Sequence, residues 1–293
     1  MTMTAPASSK TSSLASFPNK GAATAESTLS DFPGFRLITV LLFGFLYLPI
    51  GVLIAYSFNA SKTISVWGGF TFDWYRVAAA NADLQRAIIN TLVVGAAATI
   101  ISVLIALPAA LSMTHSARSR GTGLFGLLLS LPLIVPEIVI AIATLIFFTA
   151  IGLNLGLGNI IIAHSVFCIP FAVMPMVSRL KSMDHRLTEA AYDLYASRFQ
   201  CFRLITLPLL APGIVTGAML AFIVSFDNFI ISLMVSGAGG TTLPLYIYGL
   251  VKTQMTPELN AISTGVLLLS FGLLCIAYVL TKGRIVGVSG MSE

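Results

Sequence analysis

The sequence predicts an all-α membrane protein whose chain crosses the bilayer six times. Two observations carry this. Only 9% of the 293 residues are charged and the mean hydropathy is +0.94, whereas a soluble domain draws about a quarter of its residues from the charged types. Such a chain lacks the polar groups to face water, so lipid covers most of its surface. The second observation is a recurrence of apolar stretches of spanning length, since about 20 residues at 1.5 Å each cross a hydrocarbon core of about 30 Å.

The elements follow in order. Residues 1–34 are rich in Ser, Thr, Ala and Pro and show no periodic apolar face, which predicts a disordered cytoplasmic tail. No apolar core follows a basic start there, so the segment does not read as a secretory signal. A transmembrane domain is expected over 35–281. Its six runs are Phe35–Phe58, then about Ala87–Met113, Thr122–Ile151, Asn159–Ser178, Pro208–Val235 and Leu259–Thr281. Pro49, Pro108, Pro132, Pro136, Pro170 and Pro175 lie in or near them. In a bundle, neighbouring helices, polar side chains or water satisfy the carbonyls that proline frees. Residues 282–293 are expected as a short cytoplasmic tail.

Orientation comes from Lys and Arg. With the N-terminus inside, Lys62, Arg76, Arg86 and Lys252 fall outside and the other twelve of the sixteen fall inside. Discounting Lys10 and Lys20, far from the first span, leaves the bias standing. Both termini are therefore expected in the cytoplasm. Two outer loops carry predicted short helices, Phe72–Ala80 and Leu243–Lys252. Trp67, Trp74 and Tyr75 suit a membrane interface. The largest cytoplasmic loop is Arg179–Leu207.

Several functions are excluded. No GxxxxGK[ST] loop occurs, and GAGGTT has no following Lys, so the chain holds no phosphate loop for ATP. No HExxH, GxSxG or His/Cys cluster supports an enzyme or a metal site. Cys168, Cys201 and Cys275 are an odd set without ligand spacing and read as small buried hydrophobes. The net charge of +5 is not gathered on a face for nucleic acid.

The charged loop is the unusual feature. Leu187–Ala196 predicts a short helix with Thr188 placed to cap it. Ala190, Ala191 and Leu194 form an apolar strip, with Glu189 and Asp193 one turn apart beside it. A helix lying on the membrane would carry more Lys and Arg. Docking to a partner and a plain connection are the readings that spacing leaves.

Glu189-Ala190-Ala191, three residues, position 195, nine residues, then Ile205-Thr206-Leu207-Pro208 resembles the EAA motif of ABC-importer permeases. That motif runs EAA, three residues, Gly, nine residues, Ile, any residue, Leu-Pro. Tyr195 is the one departure. The stretches VWGGFTFDWY, LPLIVPEIVIAIA, FCIPFAVMPMVSRLKSMD, SFDNFIISLMVSG and LPLYIYGLVKTQMTPELNA resemble the spermidine/putrescine permeases of the PotC kind, over about 35–281. The resemblance implies a MetI-like, type I ABC importer permease fold in the bacterial inner membrane. It implies a cytoplasmic ATPase dimer, a second permease subunit and a periplasmic substrate-binding protein as partners. ATP and Mg belong to the ATPase, and this chain binds no cofactor of its own. Glu189, Ala190, Ala191, Asp193, Ala196, Ile205, Leu207 and Pro208 inherit coupling roles, with Tyr195 among them. Gly at position 195 would permit a left-handed turn. Tyr makes positive φ costly, so the backbone is expected to stay right-handed there and the helix to run on.

Two acids lie inside apolar runs, Glu137 and Asp227. A carboxylate at mid-membrane costs about 2.5–3.5 kcal/mol on insertion scales, which calls for a polar partner or a wet path. Glu137 follows Pro136, so it either caps a broken helix start or lines a path. Asp227 is expected mid-helix, facing the path while Asn228 bonds a neighbouring helix. The resemblance carries an acid at both positions, and its members move polycations. A carboxylate compensates an ammonium for lost hydration. Asn228 stands where many relatives carry a second Asp, which weighs toward a shorter or zwitterionic amine. Tyr246 and Tyr248 read as an aromatic outer gate or as interface anchors. His164 reads as a helix–helix hydrogen-bond partner, and His115 and His185 as loop residues. The alternative class is a proton-coupled secondary transporter of a small cation using Asp227 and Glu137. Such a carrier has no need of a docking motif.

Overall fold

The computed structural model describes residues 34–63, 66–115, 120–153, 155–184, 186–253 and 257–289. All but Gly34 of the expected tail of residues 1–34, and also His185, lie outside the described residues. The described chain is helical. In order the helices are α1 (Phe35–Tyr56), α2 (Asp73–Ala80), α3 (Ala82–His115), α4 (Arg120–Ile134), α5 (Glu137–Ala150), α6 (Leu157–Lys181) and α7 (Arg186–Asp193). They continue with α8 (Arg198–Cys201), α9 (Leu207–Asp227), α10 (Ile230–Val235), α11 (Leu243–Thr253) and α12 (Pro257–Ser289). A π-helical turn, Phe202–Thr206, joins α8 to α9.

The chain divides into two units, Met1–Val52 and Leu53–Glu293. In the first, the described part of α1 exposes apolar side chains on every side, from Leu37 to Val52, as lipid-facing helices do.

The second unit is built on α3, α6 and α9. Small residues let these helices approach: Ala106, Ala109 and Ala110 of α3, Ala172 of α6 and Ala221 of α9 are buried together. A Cβ at Gly217 of α9 would meet the Ala172 carbonyl oxygen at 2.6 Å, so only glycine fits this crossing. Ser102 of α3 donates to the Ser165 carbonyl of α6 at 2.7 Å. A second cluster joins Val94, Ala141, Phe148, Ile160, Phe167 and Ile231, which places α5 and α10 against α3 and α6. A third gathers Ala78, Leu84, Phe226, Leu243 and Ile262 and seats the short helices α2 and α11 at the end of the core away from the charged loop.

Two expected spans are broken. The run Thr122–Ile151 parts at Val135–Pro136 into α4 and α5, bent by 109°. The residue before a proline is driven out of the α region, and here Pro136 is itself extended, with ψ 132°. The run Pro208–Val235 parts at Asn228, where ψ is 106°. Asp227 is therefore the last residue of α9, not mid-helix.

Among the described residues four helices are long and apolar enough to cross a membrane, and the α4–α5 pair is a fifth if counted as one span. The expected sixth, about Leu259–Thr281, falls in α12, and most of its side chains from residue 273 onward lie outside the described residues.

Candidate functional site

The rod from Arg198 to Asp227 runs 30 residues through α8, the π turn and α9. At 1.5 Å per residue its contour is about 45 Å, enough to cross a bilayer. Ile205, Leu207 and Pro208 lie toward one end of this rod and Asp227 at the other, while Glu189 to Ala196 precede the rod in α7 and the turn after it.

At the Asp227 end, a cavity of about 570 Å³ opens among α9, α11 and α12. Phe222, Phe226, Phe229, Ile247, Tyr248 and Val266 form much of its wall, and among the described residues Asp227 is its one charged lining residue. The Asp227 side chain is exposed. Phe229 packs on Tyr248 with ring centroids 4.8 Å apart. The Lys252 ammonium sits 5.5 Å from the centre of the Tyr248 ring, a cation–π contact one turn along α11.

Glu137 and Asn228 are not among the lining residues. They bond each other: Asn228 Nδ2 donates to Glu137 Oε1 at 2.6 Å. Glu137 is the first residue of α5, so its carboxylate also stands at a helix start. Asn228 Oδ1 accepts from the Ile231 amide at 3.1 Å and so restarts the chain into α10. Tyr246 does not line the cavity either. Its hydroxyl accepts from Asn81 Nδ2 at 2.9 Å, and its ring packs in the third cluster. Burial first, then the Glu258 carboxylate, raises the Tyr246 hydroxyl above the ordinary tyrosine range, so it stays neutral. His164 is buried and bridges Ser225 of α9 and Ser232 of α10, at 2.9 and 3.1 Å. It is a helix–helix partner.

At the opposite end, α7 and α8 form two short helices separated by a sharp turn. At the start of α7 Asp184 Oδ1 accepts from the Arg186 amide at 2.9 Å. Thr188 lies inside the helix and is not its cap. Ser197 caps α8 in a capping box with Gln200. Ala191 is buried, whereas Glu189, Ala190 and Asp193 are exposed. Leu194 is 82% and Tyr195 97% exposed. Tyr195 has φ 59°, in the left-handed region, and the helix ends at Asp193. The right-handed continuation expected from the sequence is thus corrected. The amide of Tyr195 bonds Tyr192 and that of Ala196 bonds Ala191, closing the helix end in the manner of a C-terminal cap. Ile205 lies in the π turn, and Leu207 and Pro208 open α9. Arg179 of α6 donates through Nε to the Leu209 carbonyl at 2.9 Å, tying this start to the core.

Cys168 and Cys201 are buried and Cys275 is exposed. No group of three His, Cys, Asp or Glu side chains among the described residues is gathered to hold a metal. The break at Asn228 is not expected from the sequence, where its one local signal is an adjacent polar pair in an apolar run.

A broken-helix bundle with a two-helix charged loop at one end and an acid-bearing cavity at the other defines a transport permease. Residues 103–283 match the family described as the binding-protein-dependent transport system inner membrane component. The chain belongs to this family, that of ABC importer permease subunits. It is similar to the spermidine/putrescine transport system permease protein PotC of Haemophilus influenzae, at 34% identity over 83% of this chain and 94% of that protein. PotC of Escherichia coli K12 is 35% identical over 85% and 94%. The putrescine transport system permease protein PotI of the same strain is 34% identical over 80% and 85%.

The fold is that of a chain of a bacterial ABC transporter involved in the import of alginate, with a TM-score of 0.63 at 18% identity, covering 85% of this chain and 95% of that one. It is also that of a chain of the inward-facing MetNI methionine ABC transporter, with a TM-score of 0.58 at 18% identity, covering 68% and 95%.

Proposed function

We propose that this chain translocates a polyamine or a related small amine-containing solute, with Asp227 receiving the ammonium group. The observation that carries this reading is the cavity in which Asp227 is the one charged residue, among those described, within an aromatic wall. An ammonium leaving water loses hydration, and a carboxylate with aromatic faces returns charge-assisted hydrogen bonding and cation–π attraction. The names of the relatives support the substrate class. Glu137 is bonded to Asn228, so one carboxylate rather than a row faces the cavity, which favours a short or zwitterionic amine.

The chain works in the bacterial inner membrane with both termini in the cytoplasm, beside a second permease subunit. A periplasmic binding protein delivers the solute. A separate ATPase dimer binds ATP and Mg, closes, and moves α7 and α8, and the rod through α9 carries that motion to Asp227. The coupling contacts are Glu189, Ala190, Ala191, Asp193 and Ala196, with Tyr195 turning the chain between α7 and α8 and Ile205, Leu207 and Pro208 positioning them.

The test is uptake by the full complex with Asp227→Asn at equal membrane level. A panel runs from monoamines to spermidine. The expected result is a KM raised at least about tenfold, the scale of one charge-assisted bond. Unchanged transport of every amine removes Asp227 from the path.

A further inference from the structure

The break between α9 and α10 is held by a set of buried polar groups that none of the roles above uses. His164 is 1% and Asn228 6% exposed. The imidazole of His164 reaches Ser225, two residues before Asp227, and Ser232, on the far side of the break. The bond directions follow from the donors available. The Ser232 hydroxyl donates to the Asn228 carbonyl at 3.0 Å. Toward His164 it therefore accepts, so Nε2 carries the ring proton. Neutral Nδ1 then accepts from the Ser225 hydroxyl. The chain of bonds runs one way, from Ser225 through His164 and Ser232 to the Asn228 backbone. The Asn228 side chain continues it to Glu137 at 2.6 Å and to the Ile231 amide. Residues 225 and 228 are thus fixed to α6 and α5. Asp227 between them is exposed and lines the cavity.

A helix end interrupted inside an apolar bundle leaves carbonyls without intrahelical partners and is free to wobble unless side chains fix it. We propose that His164 and Asn228 are positioning residues for Asp227, clamping both sides of the helix break so that the carboxylate enters the cavity in one direction. They act through Ser225, Ser232 and Glu137 and do not touch the solute. The inference rests on the reading of Asp227 as the ammonium-binding group. It assigns to the neighbouring buried groups the fixing of its direction.

The experiment is a double-mutant cycle on uptake by the full complex, with the best amine of the panel. His164→Ala is expected to raise KM about tenfold while maximal rate and co-purification of the ATPase hold. His164→Gln has an amide that donates to Ser232 and a carbonyl that accepts from Ser225, and it is expected to return KM to within about twofold of the wild type. In the Asp227→Asn background, His164→Ala is expected to add nothing, because the group being aimed is gone. If His164→Ala fails to accumulate, Ser232→Ala cuts one link of the chain and must show the same coupling. A normal KM for the link variant overturns the inference, as does an effect of equal size in the Asp227→Asn background. An Asp227→Asn variant with unchanged KM sinks the reading of the path and this inference together, so the two failures are told apart.

Discussion

Tyr195 holds a backbone conformation that a β-carbon makes costly, by about 1–2 kcal/mol, with its ring 97% exposed. From sequence alone that cost favours a continued helix over a left-handed turn. The turn prevails because the amides of Tyr195 and Ala196 bond carbonyls of α7 only when the chain reverses there. Tyr195→Gly is therefore expected to raise the melting midpoint of the purified chain, and assembly with the ATPase is expected to persist. Loss of the ATPase on affinity purification would show that the ring itself is a contact. Asn228 offers a second test. Asn228→Asp sets an acceptor against Glu137 where a donor now stands 2.6 Å away, and uptake is expected to fall about tenfold or more. Adding Glu137→Gln restores a donor to the pair and is expected to recover most of the loss. Failure of the double variant to exceed the single one would show that the pair does not act through this bond.

Between helices, the crossing of α6 and α9 depends on Gly217. Any side chain there meets the Ala172 carbonyl, whereas a Cβ at Gly249 of α11 meets nothing within 4 Å. Gly217→Leu is expected to destabilise the bundle by at least about 1–3 kcal/mol, the usual cost of overpacking. Gly249→Ala is expected to leave it unchanged, and the elution profile of each variant in detergent checks both. Much at this scale was legible in the sequence. Asp73–Ala80, Leu243–Thr253 and α6 lie within a few residues of their expected bounds, because length and apolar content decide them. Pro136 announced the first break, since proline disfavours a helical residue before it. The break at Asn228 had no proline to mark it. It depends on partners 61 to 91 residues away in the chain, at His164 and Glu137, which no local pattern encodes. For the same reason Asp227 was recognisable as a buried-run acid, but its place at a helix end was not.

For the whole molecule, the arrangement is one of opposite ends. The EAA-like loop was the most legible part of the chain, since its anchors keep a fixed spacing and its acids stand out against apolar spans. The cavity at the far end was not legible, because its wall is assembled from α9, α11 and α12. On the proposed function, motion from a separate ATPase enters through that loop and reaches the cavity along α9. Glu189 is exposed on α7, far from the cavity wall, so changing it leaves the path intact. The most direct measurement compares ATP-dependent amine uptake and ATPase co-purification for the wild-type complex and for Glu189→Arg, at equal membrane levels. The account predicts that the ATPase co-purifies with the wild-type chain and that Glu189→Arg abolishes uptake. A wild-type chain that brings down no ATPase, with uptake intact in Glu189→Arg, would contradict it.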